Sequence, residues 1–208
     1  MKRPLTVFAT ANPGKLDEVA PLLTEVTELR RLSDYPSVPA PQENRSTFKA
    51  NARAKALAYA RLLAPYLPAD GLVLAEDAGL EVFSLDGYPG VRSSRVAFSD
   101  ERRMALVLAR LRARGYADED SRGARFVSVM SLVRREYLLA EAEGEVRGII
   151  APEPRGHRGF GYDPLFFFPP YGKTFGECSL EEKRAVSHRS MALSAIVEFI
   201  RENLLEES

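Results

Sequence analysis

Residues 72–82, LVLAEDAGLEV, open as a continuous apolar run of strand character and then carry two adjacent carboxylates, Glu76 and Asp77, just ahead of a glycine. An apolar run of that kind belongs in a sheet with a buried interior. Acids at its end stand where such a sheet meets a cleft, a place for chemistry. Asp-Ala-Gly is also ordinary turn vocabulary, so the segment alone leaves both a plain turn and a site open. The expectation is a strand over 72–76, a second over 80–85, and irregular structure at Asp-Gly-Tyr-Pro-Gly.

The remaining chain alternates strand and helix patterns up to its middle. Residues 4–10 suit a strand, and a helix follows from Pro13 with Leu16, Val19, Leu22 and Leu23 on one face. A short strand over 26–32 precedes a proline-rich loop over 35–42. A long helix is then expected from Thr47 to about Leu63, with Asn51 and Lys55 one turn apart and able to reach into one site. Asp100 is expected to cap a helix running to Arg114, with Met104, Leu106, Val107, Leu108 and Leu111 turned inward. A polar link over 115–123 leads to two alternating segments, 124–134 and 137–147, joined by a tight turn at Arg135-Glu136. Ser179 is placed to cap a short helix carrying Lys183, and a last helix begins near Ser187 with Leu193, Ile196, Val197 and Ile200 inward. The change to a hairpin points to a second lobe and so to a cleft between lobes.

Composition narrows the function. Acidic and basic residues balance at 29 each, which disfavours a nucleic-acid partner, and affinity for phosphate must come from local clusters. The N-terminus is too short in apolar residues for a signal peptide or a membrane span, so a cytoplasmic location is expected. With His157, His188 and Cys178 as the whole stock of histidine and cysteine, a zinc site is excluded, and any metal would be held by carboxylate oxygen. Cys178 is expected as a free thiol. No Gly-x-Ser-x-Gly elbow occurs, so a hydrolase here would activate water. Only six of the 29 basic residues are lysines, and Lys15, Lys55, Lys173 and Lys183 all fall in the polar stretches of interest.

Two further stretches carry chemistry. Thr10-Ala11-Asn12-Pro13-Gly14-Lys15 joins a strand to a helix N-terminus, where free N–H groups, the helix dipole and a lysine suit a phosphate. A simple junction, with Asn12 capping and Pro13 in the first turn, explains the same residues. Residues 156–177 hold Phe160 between Gly159 and Gly161, beside Tyr162 and Asp163, a flat face that a base can stack on or a core aromatic. Gly172-Lys-Thr lacks the earlier glycine of a P-loop, and the glycines around Phe160 do not open a helix, so neither is a nucleotide fingerprint. His188 and Arg189 at a helix start form a donor pair for an oxygen-bearing ligand or a cap.

Taken together, TANPGK (10–15), ENRSTFKANARAKA (43–56), AEDAGLEVFSLDGYPGVRSSR (75–95), GFGYDPLF (159–166) and EKRAVSHRSMAL (182–193) resemble the inosine triphosphate pyrophosphatase family along nearly the full length. The resemblance implies an α/β fold, with a long mixed central sheet flanked by helices and two lobes around a deep cleft, residues 1–208 forming one two-lobed domain. It also implies hydrolysis of ITP, dITP and XTP to the monophosphate and pyrophosphate, a homodimer, and dependence on magnesium, with manganese as a substitute. It assigns Thr10 to Lys15 and Lys55 to the triphosphate and makes Asp77 the proton acceptor and a metal ligand. Phe160, Gly161, Tyr162, Asp163, Lys183, His188 and Arg189 would hold base and sugar. Glu43 and Glu76 are candidates for further metal contact. The usual Asp-Asp-Ser-Gly of the family is Glu-Asp-Ala-Gly here, so Ala78 offers only its amide, and Ala50 stands where an acid is usual. Rival expectations are a pyrophosphatase for modified pyrimidine nucleotides and a nucleotide sensor without turnover.

Overall fold

A computed structural model of the chain describes residues 3–36, 38–116 and 118–205. Ser37 in the expected proline-rich loop and Ala117 in the expected polar link lie outside the described residues, as do both ends of the chain. The strands are β1 (Leu5–Phe8), β2 (Glu28–Arg31), β3 (Leu72–Val82), β4 (Gly123–Arg134), β5 (Tyr137–Ile150), β6 (Phe166–Phe168) and β7 (Lys173–Thr174). The helices are α1 (Pro13–Leu23), α2 (Phe48–Leu63), α3 (Asp100–Ala113), α4 (Leu180–Val186) and α5 (His188–Asn203). All seven strands form one sheet in the order β2-β1-β3-β4-β5-β6-β7. β1 runs parallel to β2 and β3, while β6 is antiparallel to β5 and β7, so the sheet is mixed as expected. α1 and α2 supply the crossovers that parallel neighbours require.

Contacts divide the chain into two compact units. The first comprises residues 1–77, 128–144 and 189–208, and the second residues 78–127 and 145–188. In the first unit, the two-residue period of the strands sorts the core into two layers. Phe8, Leu72, Leu74, Met130 and Leu132 pack with α1 and α5 through Val19, Leu23, Ala192, Leu193, Ile196 and Ile200. Val7, Val73, Ala75 and Val133 point the other way and pack with α2 through Ala56, Tyr59, Ala60 and Leu63. In the second unit, α3 contributes Met104, Val107, Leu108 and Leu111 to a core with Leu80, Val82, Phe126, Ile150, Phe166 and Phe175.

Several local expectations are corrected. β3 is one strand through Asp77-Ala78-Gly79: it lies inside the sheet between β1, which pairs with its first residues Leu72–Leu74, and β4, and its residues are buried almost throughout. β3 ends at Val82, and a 3-10 turn follows at Phe83–Leu85. Ser99, not Asp100, caps α3: its backbone is extended and its hydroxyl accepts from the Arg102 amide. Leu106 is exposed, since Met104, Val107, Leu108 and Leu111 already form the i, i+3, i+4, i+7 stripe and position 106 falls on the opposite side. The hairpin turn at Arg135-Glu136 is present, with Arg135 in the left-handed region at φ 54°. Among the described residues no helix is long and apolar enough to cross a membrane.

Candidate active site

Strand parity decides what each carboxylate of β3 meets. Glu76 shares the parity of Leu72 and Leu74 and so faces the α1 and α5 side of the first unit. There its Oε1 accepts from Ser128 Oγ at 2.8 Å and from Arg189 Nε at 2.9 Å, and Lys15 Nζ lies 3.4 Å from Oε2. Arg189 Nη1 also reaches Glu18 Oε2 at 2.6 Å. Glu18, Glu76 and Arg189 are all buried. Asp77 has the opposite parity and meets α2, where Asn51 Nδ2 donates to its Oδ2 at 2.9 Å. Asn51 is itself oriented by the backbone of Arg45, whose N–H donates to Asn51 Oδ1. One turn along α2, Lys55 Nζ donates to the Glu76 carbonyl at 3.0 Å and pairs with Glu43. The expected reach of Asn51 and Lys55 into one place is what the structure holds.

Burial raises the pKa of Asp77, an effect opposed by the Asn51 hydrogen bond and by Lys55 and Lys15 and reinforced by Glu43. Burial likewise lowers the pKa of Lys15; Glu76 opposes this, while Arg189 and Lys55 add to it. Both shifts have the same origin, an ionisable group placed under the surface.

The Thr10–Lys15 junction has the capped strand-to-helix form expected of a simple junction. Asn12 caps α1, its Oδ1 accepting from the Lys15 amide at 3.3 Å, and the Asn12 amide donates to Thr10 Oγ1 at 3.1 Å. Pro13 has no N–H. Of the residues that open the helix, Gly14 therefore keeps the amide that neither cap nor ring has taken, and the positive charge has to come from the Lys15 side chain.

The donor chemistry fits a hard divalent cation. On the α2 side of β3, Glu43 and Asp77 offer carboxylate oxygen, and Asp77 is a buried acid whose raised pKa a cation would offset; Glu76, on the other side, is taken up by Arg189, Ser128 and Lys15. Among the described residues no three His, Cys, Asp or Glu side chains gather into a protein-only cage. Magnesium is commonly bound through one or two carboxylates, with water and substrate phosphate completing the shell.

In the second unit, Phe160 is half-buried between Gly159 and Gly161, which have φ of 74° and 67°. Its amide donates to Asp163 Oδ2 at 2.8 Å, the same oxygen that accepts from Lys183 Nζ at 2.6 Å. The Lys183 ammonium also lies 4.8 Å from the centre of the Phe160 ring. The Gly161 amide donates to Asp100 Oδ2. Tyr162 is buried, donates to the Ser93 carbonyl, and has its phenol pKa pushed up by burial. His188 is stacked on Phe126 with ring centres 4.9 Å apart.

Thus a buried carboxylate pair with two lysines stands in one unit and an aromatic held by a lysine–aspartate pair in the other, each built from a motif of the sequence. The Ham1 family profile matches residues 6–199. The chain belongs to the Ham1 family. It is 43% identical over 195 residues to a dITP/XTP pyrophosphatase of Thermus thermophilus, covering 92% of this chain and 89% of the relative. It is 41% identical over 191 residues to a dITP/XTP pyrophosphatase of an Exiguobacterium species, covering 90% and 92%. Among solved structures, a HAM1 protein from Coxiella burnetii superposes with a TM-score of 0.82 at 35% identity, covering 96% of this chain and 99% of the other. The mixed seven-stranded sheet flanked by helices is thus a Ham1 fold.

Within this Ham1-family chain, Lys15, Lys55, Glu43, Glu76 and Asp77 come together in the first unit, and Phe160 to Asp163, Lys183 and His188 belong to the second. Arg189 follows His188 in sequence yet belongs to the first unit, where it meets Glu76. Ala78, half-buried, continues β3 beyond Asp77. Sequence reasoning missed Glu18 and Ser128. Each left a signal: an acid one turn from Lys15 on α1, and a small polar residue inside the apolar strand Phe-Val-Ser-Val-Met.

Proposed function

We propose that this chain hydrolyses non-canonical purine nucleoside triphosphates, dITP, XTP and ITP, to the monophosphate and pyrophosphate with a divalent cation, magnesium or manganese. The observation that carries the reading is Asp77, a buried acid of raised pKa held by Asn51 through one oxygen and flanked by lysines. The relatives' name, dITP/XTP pyrophosphatase, supports the dITP and XTP part of this reading.

Asp77 would take the proton of the attacking water at Oδ1, the oxygen Asn51 leaves to it, and its raised pKa makes it a stronger base than an exposed aspartate. Asp77, with Glu43 from the same side of β3, would hold the cation, while Glu76 faces the other side and is held by Arg189, Ser128 and Lys15. A bound magnesium supplies charge against the leaving pyrophosphate and acidifies water. Lys15, Lys55 and the Thr10–Gly14 turn bind triphosphate oxygens, and Ala78 offers its amide. Phe160 stacks the base, and Gly161, Tyr162, Asp163, Lys183 and His188 shape its surroundings. Arg189 is assigned to holding Glu76, through the guanidinium it shares with Glu18. The same reading includes a homodimer and a cytoplasmic location, the former tested by light scattering.

The test is release of pyrophosphate from dITP with magnesium. Asp77→Asn should lower the rate by about a hundredfold or more, as for loss of a general base, while dITP still binds in calorimetry. A parent protein that binds dITP but releases no pyrophosphate at any magnesium concentration or pH would be a sensor. A parent that prefers modified pyrimidine triphosphates would belong to the other substrate class.

A further inference from the structure

We infer that Asp100, the first residue of α3, is a positioning residue for purine binding: its carboxylate fixes the peptide that carries Phe160. This rests on the proposal that Phe160 is the platform for the base. Phe160 lies between two glycines in the left-handed region, the backbone with the widest conformational choice when nothing holds it. A stacking face is useful only if its plane is settled before the ligand arrives. Two carboxylates settle it by taking successive amides: Asp163 Oδ2 accepts from Phe160 at 2.8 Å, and Asp100 Oδ2 accepts from Gly161 at 2.6 Å.

The two acids do different work. Asp163 belongs to the same turn as Phe160 and moves with it. Asp100 is 61 residues away in sequence and sits on a 14-residue helix, so it ties the turn to a rigid element. Its other oxygen accepts from Arg103 Nη1 at 2.6 Å, and Arg103 Nε donates to the Ala97 carbonyl, so the carboxylate is itself oriented. Capping α3 does not explain Asp100, because Ser99 already does that. A charged acceptor on a backbone amide makes a stronger bond than a neutral one.

The experiment compares the full chain with Asp100→Ala, Asp100→Asn, Phe160→Ala and the Asp100→Ala/Phe160→Ala double variant. Loss of one charge-assisted bond predicts that Asp100→Ala raises KM for dITP about tenfold with kcat little changed. Asp100→Asn, which keeps one acceptor oxygen, should fall between it and the parent. In the Phe160→Ala background, itself raised in KM, the Asp100 substitution should add little. Inorganic triphosphate has no base, so its inhibition constant should not move in Asp100→Ala. The inference is overturned if KM is unmoved in Asp100→Ala while raised in Phe160→Ala. It is overturned equally if the Asp100 effect persists in full without Phe160, or if inhibition by triphosphate weakens in step with KM. If Phe160→Ala leaves KM unmoved, the platform assignment fails and the inference fails with it.

Discussion

Replacing Arg189 with methionine separates two roles for that residue. The guanidinium is buried with Nη1 2.6 Å from Glu18 Oε2 and Nε 2.9 Å from Glu76 Oε1, and both acids are buried as well. Methionine keeps much of the apolar stem and removes the charge that two carboxylates face. Breaking a buried ion pair from one side costs about 3–5 kcal/mol, because the remaining charge stays desolvated. Glu76 retains Lys15 at 3.4 Å and the Ser128 hydroxyl, so the loss belongs near the lower end of that range. For a chain of this length each kcal/mol lowers the melting temperature by about 2–4 °C, so the expected fall is about 6–12 °C. Urea and thermal unfolding, followed by circular dichroism without metal or nucleotide, measure it. Adding Glu18→Gln to Arg189→Met should recover about 1 kcal/mol by removing one of the two buried negative charges that the guanidinium faced. A donor reserved for the base would show the opposite pattern, normal stability with a raised KM. An Arg189→Met protein within about 1 kcal/mol of the parent, or a double variant no more stable than the single one, would refute the network argument.

Two other outcomes follow from the same geometry. Asp77 has a pKa raised by burial, so the folded state holds its proton more tightly than the unfolded chain and the acid costs stability as pH rises from about 4 through its folded value. Asn does not titrate; metal-free Asp77→Asn should therefore gain on the parent between acidic and neutral pH in urea unfolding, and a difference that stays constant with pH would contradict the assignment. At Gly159, φ is 74° and an added Cβ would stand 2.1 Å from Asp163 Oδ2, so Gly159→Ala must displace the oxygen that holds the Phe160 amide and Lys183. Strain of about 1–3 kcal/mol and a raised KM for dITP are expected, checked by thermal unfolding and steady-state kinetics.

Much of the site was legible because its residues are clustered in sequence as well as in space. Asn12, Pro13 and Lys15 announce a helix N-terminus at the end of β1, and Asn51 and Lys55 are one turn apart, so helix periodicity alone puts them on one face. Glu18 and Ser128 were hidden because their partner arrives from far along the chain: Glu18 meets Arg189 across 171 residues and Ser128 meets Glu76 across 52. Asp100 looked like a cap, since a carboxylate at a helix start ordinarily is one, and only the neighbouring serine and the distant Gly161 amide assign it otherwise.

The sequence by itself determined the element types and the inventory of chemistry, because periodicity, caps and the scarcity of histidine and cysteine are local or compositional properties. It also determined that Glu76 and Asp77 face opposite ways once both lie in a strand, since successive side chains alternate. That both do lie in one unbroken strand was decided by the tertiary structure: β3 is an inner strand of the sheet, buried almost throughout, and that context overrides the preference of Asp-Ala-Gly for a turn. Tertiary structure likewise decided that Arg189 joins Glu18 and Glu76, because a buried charge goes where opposite charge is already buried, and no local pattern records where that is.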